Sequence, residues 1–178
     1  MNKRNFILKA IKKKIEHYGK NNRLKEPNLT TLKKEDELRL LKWQHGVRVF
    51  PPKRKYFMYK FLETPDAELH KKVPFLWVIL KDKIKIVNEQ ANFAKRLKLK
   101  KMKHTNMTGG SKAYGGGEMW FIGNKDIVVN GCSGRYGPNS EDELNNLVDI
   151  IKASGWHIKS LGWDSEIGRP VKFPRGAK

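Results

Sequence analysis

Side chains able to do chemistry concentrate between Lys103 and Pro138. His104, Glu118 and Arg135 occur there with the hydroxyls of Thr105, Ser133 and Tyr136, among the glycines Gly109-Gly110 and Gly115-Gly116-Gly117. An imidazole titrating near neutrality takes or gives a proton, and a neighbouring lysine field favours its neutral, basic form. One reaction uses these groups and no metal: attack of a ribose 2'-hydroxyl on its own phosphate, which cleaves RNA. It needs a base, an acid, and cations or hydroxyls around the phosphorane. His104 or Glu118 would serve as base and acid, and Arg135 with a lysine would stabilise the phosphorane. Thr105, Ser133 and Tyr136 would bind phosphate oxygens. Upstream, Lys95, Arg96, Lys98, Lys100, Lys101 and Lys103 form a cationic approach to His104, with Arg96, Lys98, Lys101 and Lys103 as substrate-binding candidates. The competing reading is structural: glycine-rich turns join strands, Glu118 is a strand-edge charge and His104 a surface imidazole.

The formal charge of the 178-residue chain is +20. Residues 1–103 carry 29 Lys+Arg against 10 Asp+Glu, a net +19, whereas 104–178 carry 9 against 8. So large a field attracts polyanions through counterion release, which makes nucleic acid, a ribosome or an anionic surface the expected partner; nucleic acid is taken first, RNA favoured over DNA. Five Trp, eight Phe and five Tyr argue for a folded chain despite a mean hydropathy of -0.69.

Cys132 is the single cysteine, so neither a disulfide framework nor a multi-cysteine metal site is expected. The five histidines lack paired ligand spacing, and the glycine runs match neither the P-loop nor the dinucleotide fingerprint. No cofactor or metal is expected. The longest apolar run, Phe75 to Leu80, is far short of the roughly 20 residues that span a bilayer. The N-terminus lacks an uninterrupted apolar segment of signal type; the expected location is cytoplasmic.

The elements that must position these groups follow from periodicity. Phe6, Ile7, Ala10, Ile11, Ile15 and Tyr18 fall on one face of a basic amphipathic helix over 5–18, expected to pack on the domain with its lysines outward. Thr30 or Thr31 can cap a second helix running to about Trp43. Lys53 to Phe61 interleaves cations with aromatics, which suits base stacking beside phosphates or a half-buried strand. Thr64-Pro65-Asp66 predicts a short helix to about Lys72. Phe75–Leu80 with Ile84 and Ile86, and Glu118–Ile122 with Ile127–Val129, read as two β-hairpins. Residues 89–103 fit helix and strand equally. Ser140-Glu141-Asp142-Glu143 is a capping box before Leu144, Leu147, Val148 and Ile151, with Gly155 closing the helix. Trp156 to Leu161 reads as a last strand, and the tail from Gly168 as irregular.

The order His-Thr, Gly-Gly, Gly-Glu at a strand start, then Ser-Gly-x-Tyr-x-Pro resembles a C-terminal domain of some large bacterial proteins of polymorphic-toxin or effector type. That domain's pattern is Lys-His-Ser, a Gly-Gly turn, Ala-Gly-Glu and Ser-Gly-His-Tyr-x-Pro. The likeness covers roughly Val73 to Trp163 and implies site roles for His104, Thr105, Glu118, Ser133 and Tyr136. This chain has Arg135 where the pattern has His, which argues against a two-histidine mechanism and moves Arg135 toward phosphate binding. The resemblance also implies a small ribonuclease-like α+β fold, with helices preceding an antiparallel sheet, and leaves room for a cognate inhibitor protein.

The expected architecture is α+β: N-terminal basic helices packed on a small antiparallel sheet, with one further helix near the C-terminus. It divides into a basic helical region (1–72), an α+β domain carrying the glycine-rich site (73–163) and a tail (164–178). The leading expectation for function is RNA binding with metal-independent endoribonuclease-type cleavage. The alternative is a non-catalytic DNA- or RNA-binding regulatory protein of phage or bacterial type. ADP-ribosyl transfer, which also uses a Glu near a hydroxyl and an aromatic, is a minor third.

Overall fold

The computed structural model describes residues 2–30, 32, 35–53, 73–122 and 126–172. The protein is α+β. Helix α1 (Lys3–Gly19) precedes a six-stranded sheet of β1 (Arg48–Val49), β2 (Phe75–Ile79), β3 (Ile84–Asn88), β4 (Gly115–Ile122), β5 (Asp126–Asn130) and β6 (His157–Ser160). Strand order is β1-β3-β2-β4-β5-β6. Short helices α2 (Asn92–Arg96) and α3 (Thr105–Thr108) lie between β3 and β4, and α4 (Glu141–Lys152) lies between β5 and β6. Strands β7 (Trp163–Asp164) and β8 (Arg169–Pro170) pair separately.

Both anticipated hairpins form, β2 with β3 and β4 with β5. The sheet is mixed rather than wholly antiparallel, because β6 runs parallel to β5. The intervening α4 carries the chain back to the starting end of β5, as a parallel connection requires. Ser140 caps α4 by accepting from the Glu143 amide at 3.1 Å, and Glu143 returns the contact to the Asn139 amide. The helix ends at Lys152, and Gly155 follows in the left-handed region, at φ 71°. The run that fitted two periodicities divides: α2 reaches Arg96, then Leu97 and Leu99 point inward between exposed Lys98 and Lys100.

One sheet face carries Phe75, Trp77, Ile79, Ile84, Ile86, Met119, Phe121, Ile127 and Val129. Against it pack Ile11 and Ile15 of α1 and Leu144, Leu147, Val148 and Ile151 of α4. Phe6, placed on the apolar face by periodicity, is instead 64% exposed. The other face carries Leu76, Val78 and Val87 under Leu97, Leu99, Met102, Met107 and Tyr136. No helix among the described residues is long and apolar enough to cross a membrane.

Where a helix is expected from Thr30 or Thr31 to Trp43, the described residues form two single 3-10 turns, Glu35–Leu38 and Trp43–His45. Its carbonyls are drawn elsewhere: Asn106 Nδ2 donates to the carbonyls of Asp36, Glu37 and Arg39 at 2.9 to 3.2 Å. The Leu41 amide donates back to the Asn106 carbonyl. The described residues between Lys25 and Leu41 thus form a strap tied to α3 rather than an independent helix. The cation–aromatic run to Phe61 (beyond Lys53) and the helix expected over 64–72 lie outside the described residues.

The glycines of β4 are filled by the protein itself. A Cβ at Gly115 would lie 2.3 Å from Leu147 Cδ1, and one at Gly116 would lie 3.0 Å from His104 Cδ2. At Gly117 it would lie 2.0 Å from the Asn130 carbonyl and under 3.0 Å from the Trp77 ring. Gly117→Ala is therefore expected to lower the unfolding free energy by about 2–3 kcal/mol through overpacking. Gly134→Ala, whose added methyl would meet nothing within 4 Å, should stay within about 0.5 kcal/mol of the parent; urea unfolding of both variants checks the contrast.

Candidate functional site

Strand register sets Leu76 beside Glu118 and Glu118 beside Asn130 on one sheet face. Over that row lies an open cleft of about 490 Å³. The 101–104 segment forms one wall, the 131–138 turn another, and the segment from Arg169 to Lys172 a third. His104, Glu118, Ser133, Arg135, Lys101 and Lys103 all reach it. Thr105 and Tyr136 do not, and Arg96 and Lys98 are exposed away from it.

His104 is buried, 6% exposed, not a surface imidazole. Its Nε2–H donates to the Gly117 carbonyl at 2.9 Å, which leaves the lone pair on Nδ1. The absent side chain of Gly116 lets the ring lie against β4. Burial holds its pKa down to about 4, helped by the positive charges of Lys101, Lys103 and Arg135 and opposed by the Gly117 bond. At neutral pH His104 is an uncharged acceptor rather than the near-neutral acid and base expected from sequence.

Glu118 is held by its cross-strand neighbour. The buried Asn130 donates Nδ2 to Glu118 Oε2 at 3.0 Å, and its Oδ1 accepts the Glu118 and Cys132 amides at 3.0 Å. Trp77 Nε1 donates to the backbone carbonyls of Glu118 and Asn130. A carboxylate so fixed at the floor of a cleft can accept a proton from a bound hydroxyl.

Arg135 lines the cleft, but its charge is committed. Its Nη2 meets Glu37 Oε2 at 2.6 Å, with both side chains buried, and Nη1 donates to the Asn28 carbonyl at 2.8 Å. The Asn28 amide donates in turn to the Arg135 carbonyl at 2.9 Å. Arg135 therefore fastens the strap to the 133–137 turn, and a phosphate would compete with Glu37 for it. Lys101 is likewise paired, with Glu89. Lys103 has no ion-pair partner among the described residues; desolvation lowers its pKa, Glu37 opposing and Lys101 reinforcing the shift.

The hydroxyls separate. Ser133 lines the cleft, and its Oγ accepts the Arg135 and Tyr136 amides at 3.2 and 3.0 Å. Tyr136 points the other way: its hydroxyl donates to the Ser111 carbonyl and meets Thr108 Oγ1, both at 2.7 Å. Thr105 is fully buried at the start of α3, its Oγ1 without a hydrogen-bond partner among the described residues. Both correct the expectation of phosphate ligands, since neither oxygen is reachable. The glycines of β4 likewise admit no substrate backbone, because Leu147, His104 and Trp77 occupy the space.

Sequence reasoning missed Glu37, Glu89, Asn130, Arg169 and Lys172. The hairpin register could have found Asn130 opposite Glu118, but no local pattern marks the others. Comparison with protein-family models, curated proteins and solved structures finds no match for the chain.

Two tests follow from these contacts. Glu37→Gln leaves Arg135 buried with its charge uncompensated, so a loss of about 3 kcal/mol is expected, measured by urea unfolding at neutral pH; a change under 1 kcal/mol would show the pair to be incidental. His104 binds its proton at about pH 4 when folded but near 6.5 when unfolded. Between these values the unfolded chain holds more protons, so stability is full above about pH 6.5 and falls by up to about 3 kcal/mol on acidification to pH 4. His104→Gln, which can keep a donor toward Gly117, should remove that component from a comparison of unfolding at pH 7 and pH 4.5.

Proposed function

We propose that the protein binds RNA in this cleft and cleaves it without a metal. The observation that carries the reading is the convergence of a fixed carboxylate, Glu118, with the ammonium of Lys103, which has no ion-pair partner among the described residues, beside the neutral imidazole of His104. Glu118 takes the proton of the 2'-hydroxyl as its oxygen bonds to phosphorus. The bond from phosphorus to the 5'-oxygen breaks, and Lys103 gives that oxygen its proton. The products are a 2',3'-cyclic phosphate and a 5'-hydroxyl. Lys103 suits the acid's part better than His104, which is already deprotonated at neutral pH. Ser133 remains a phosphate contact, and Arg135 contributes field rather than a direct bond. The net positive charge supports a polyanionic ligand.

A second reading, non-catalytic nucleic-acid binding, draws support from the pairing of Arg135 with Glu37 and the turning away of Tyr136. These leave fewer groups for the phosphorane than the chemistry ordinarily uses. Incubation of labelled RNA with the protein in excess chelator separates the two. The first reading expects cleavage that is lost on 2'-deoxy substitution of the RNA and falls about 100-fold or more in Glu118→Gln. Salt-sensitive binding without cleavage, or cleavage unchanged in Glu118→Gln, would give the site to the second reading or to other residues.

A further inference from the structure

We propose that the cleft takes a single unpaired strand, and that Arg169 and Lys172, on the segment that closes its far side, are phosphate contacts; this rests on the reading of the cleft as a nucleic-acid site. The charges decide which cations are available. Of the five that line the cleft, Lys101 is neutralised by Glu89 and Arg135 by Glu37. Lys103, Arg169 and Lys172 have no ion-pair partner among the described residues. Of the two carboxylates that line the cleft among the described residues, Glu89 is taken by Lys101, which leaves Glu118, held by Asn130, to oppose these cations. The cations therefore come from two walls, Lys103 from the segment before α3 and Arg169 with Lys172 from β8 and the residues after it.

The outer wall is built rather than loosely apposed. β8 pairs with β7, the Val171 amide donates to the Gly162 carbonyl at 3.0 Å, and Cys132 Sγ lies 3.5 Å from the Val171 carbonyl. Arg169 and Lys172 are exposed, so their charges remain hydrated until a ligand arrives. A cleft of about 490 Å³ falls within the roughly 300–1,000 Å³ that encloses one small-molecule-sized unit. That volume matches one or two nucleotides, so a single strand is the form of nucleic acid proposed for it. No Phe, Tyr or Trp lines it among the described residues, so the grip is on phosphates and tolerant of base identity, unlike surfaces that stack bases on aromatics.

The probe is an unstructured 2'-O-methyl RNA of about 12 nucleotides, within the span that such grooves cover, which lacks the hydroxyl needed for cleavage; its duplex with the complementary strand is the comparison. Binding is measured against salt for the full chain, for R169Q/K172Q, and for K13Q/K14Q on the exposed face of α1. The single strand is expected to bind at least about tenfold more tightly than the duplex. In R169Q/K172Q the slope of log affinity on log salt should fall by about 1.4, since each single-strand phosphate contact adds about 0.7. K13Q/K14Q should change it by less than half as much. Equal or tighter binding of the duplex, or equal slopes for the two double variants, would overturn the proposal while leaving nucleic-acid binding standing. Failure of the parent protein to bind either probe at low salt would remove the nucleic-acid reading itself, and this inference with it.

Discussion

Three consecutive residues of β4 lack a Cβ, and the protein's own side chains enter the space from both sides. Leu147 of α4 closes on Gly115, His104 on Gly116, and Trp77 on Gly117, where the Asn130 carbonyl also approaches. These insertions bring α4, the segment before α3, and strands β2 and β5 close to one strand. Trp77 then ties the backbone of Glu118 to that of Asn130 through its single indole donor. Interiors packed at crystal-like density respond to a single added methyl, so the glycines determine the placement of groups well beyond β4. The cleft floor inherits its geometry from this notch.

The same arrangement sets the protonation states. Because the imidazole lies against a bare stretch of backbone, it is buried deeply enough to remain neutral, and the Gly117 carbonyl selects which nitrogen carries hydrogen. Around it the cations divide into those already paired within the protein and those that are not. Counting charges along the chain overstates what a ligand meets: Arg135 and Lys101 spend theirs on Glu37 and Glu89. The net +19 of residues 1–103 describes a long-range field, whereas the local potential of the cleft depends on a few side chains from opposite ends of the fold.

Local patterns made much of the fold legible. The capping box at Ser140 and the alternation through Phe75–Ile86 and Glu118–Val129 depend on neighbours within a few residues, and each produced the expected element. Tertiary competition defeated the helical pattern at Asp36, Glu37 and Arg39, where Asn106 takes the carbonyls a helix would use. At the site, His104, Glu118 and Ser133, which residue type alone singles out, line one cleft. Thr105 and Tyr136 do not, because the phase of a one-turn helix and the sense of a tight turn decide which side chain faces the cleft, and neither has a sequence signal. Glu37 was illegible for a different reason: its partner is 98 residues away, and nothing separates it in the sequence from its acidic neighbours Glu35 and Asp36.

That separation bears on the order in which the molecule assembles. The strap's fastenings join Lys25 to Glu143, Asn28 to Arg135 and Glu37 to Arg135, spanning 118, 107 and 98 residues. The hairpins β2–β3 and β4–β5 join residues only a few positions apart at their turns. Closing a loop costs entropy that grows with its length, and contacts distant in sequence form more slowly than local ones. Loop-closure cost alone thus favours the hairpins over the strap's contacts. Without the strap in place, Arg135 lacks its carboxylate and the turn that carries Ser133 lacks its anchor, so the cleft is complete only when the strap is docked.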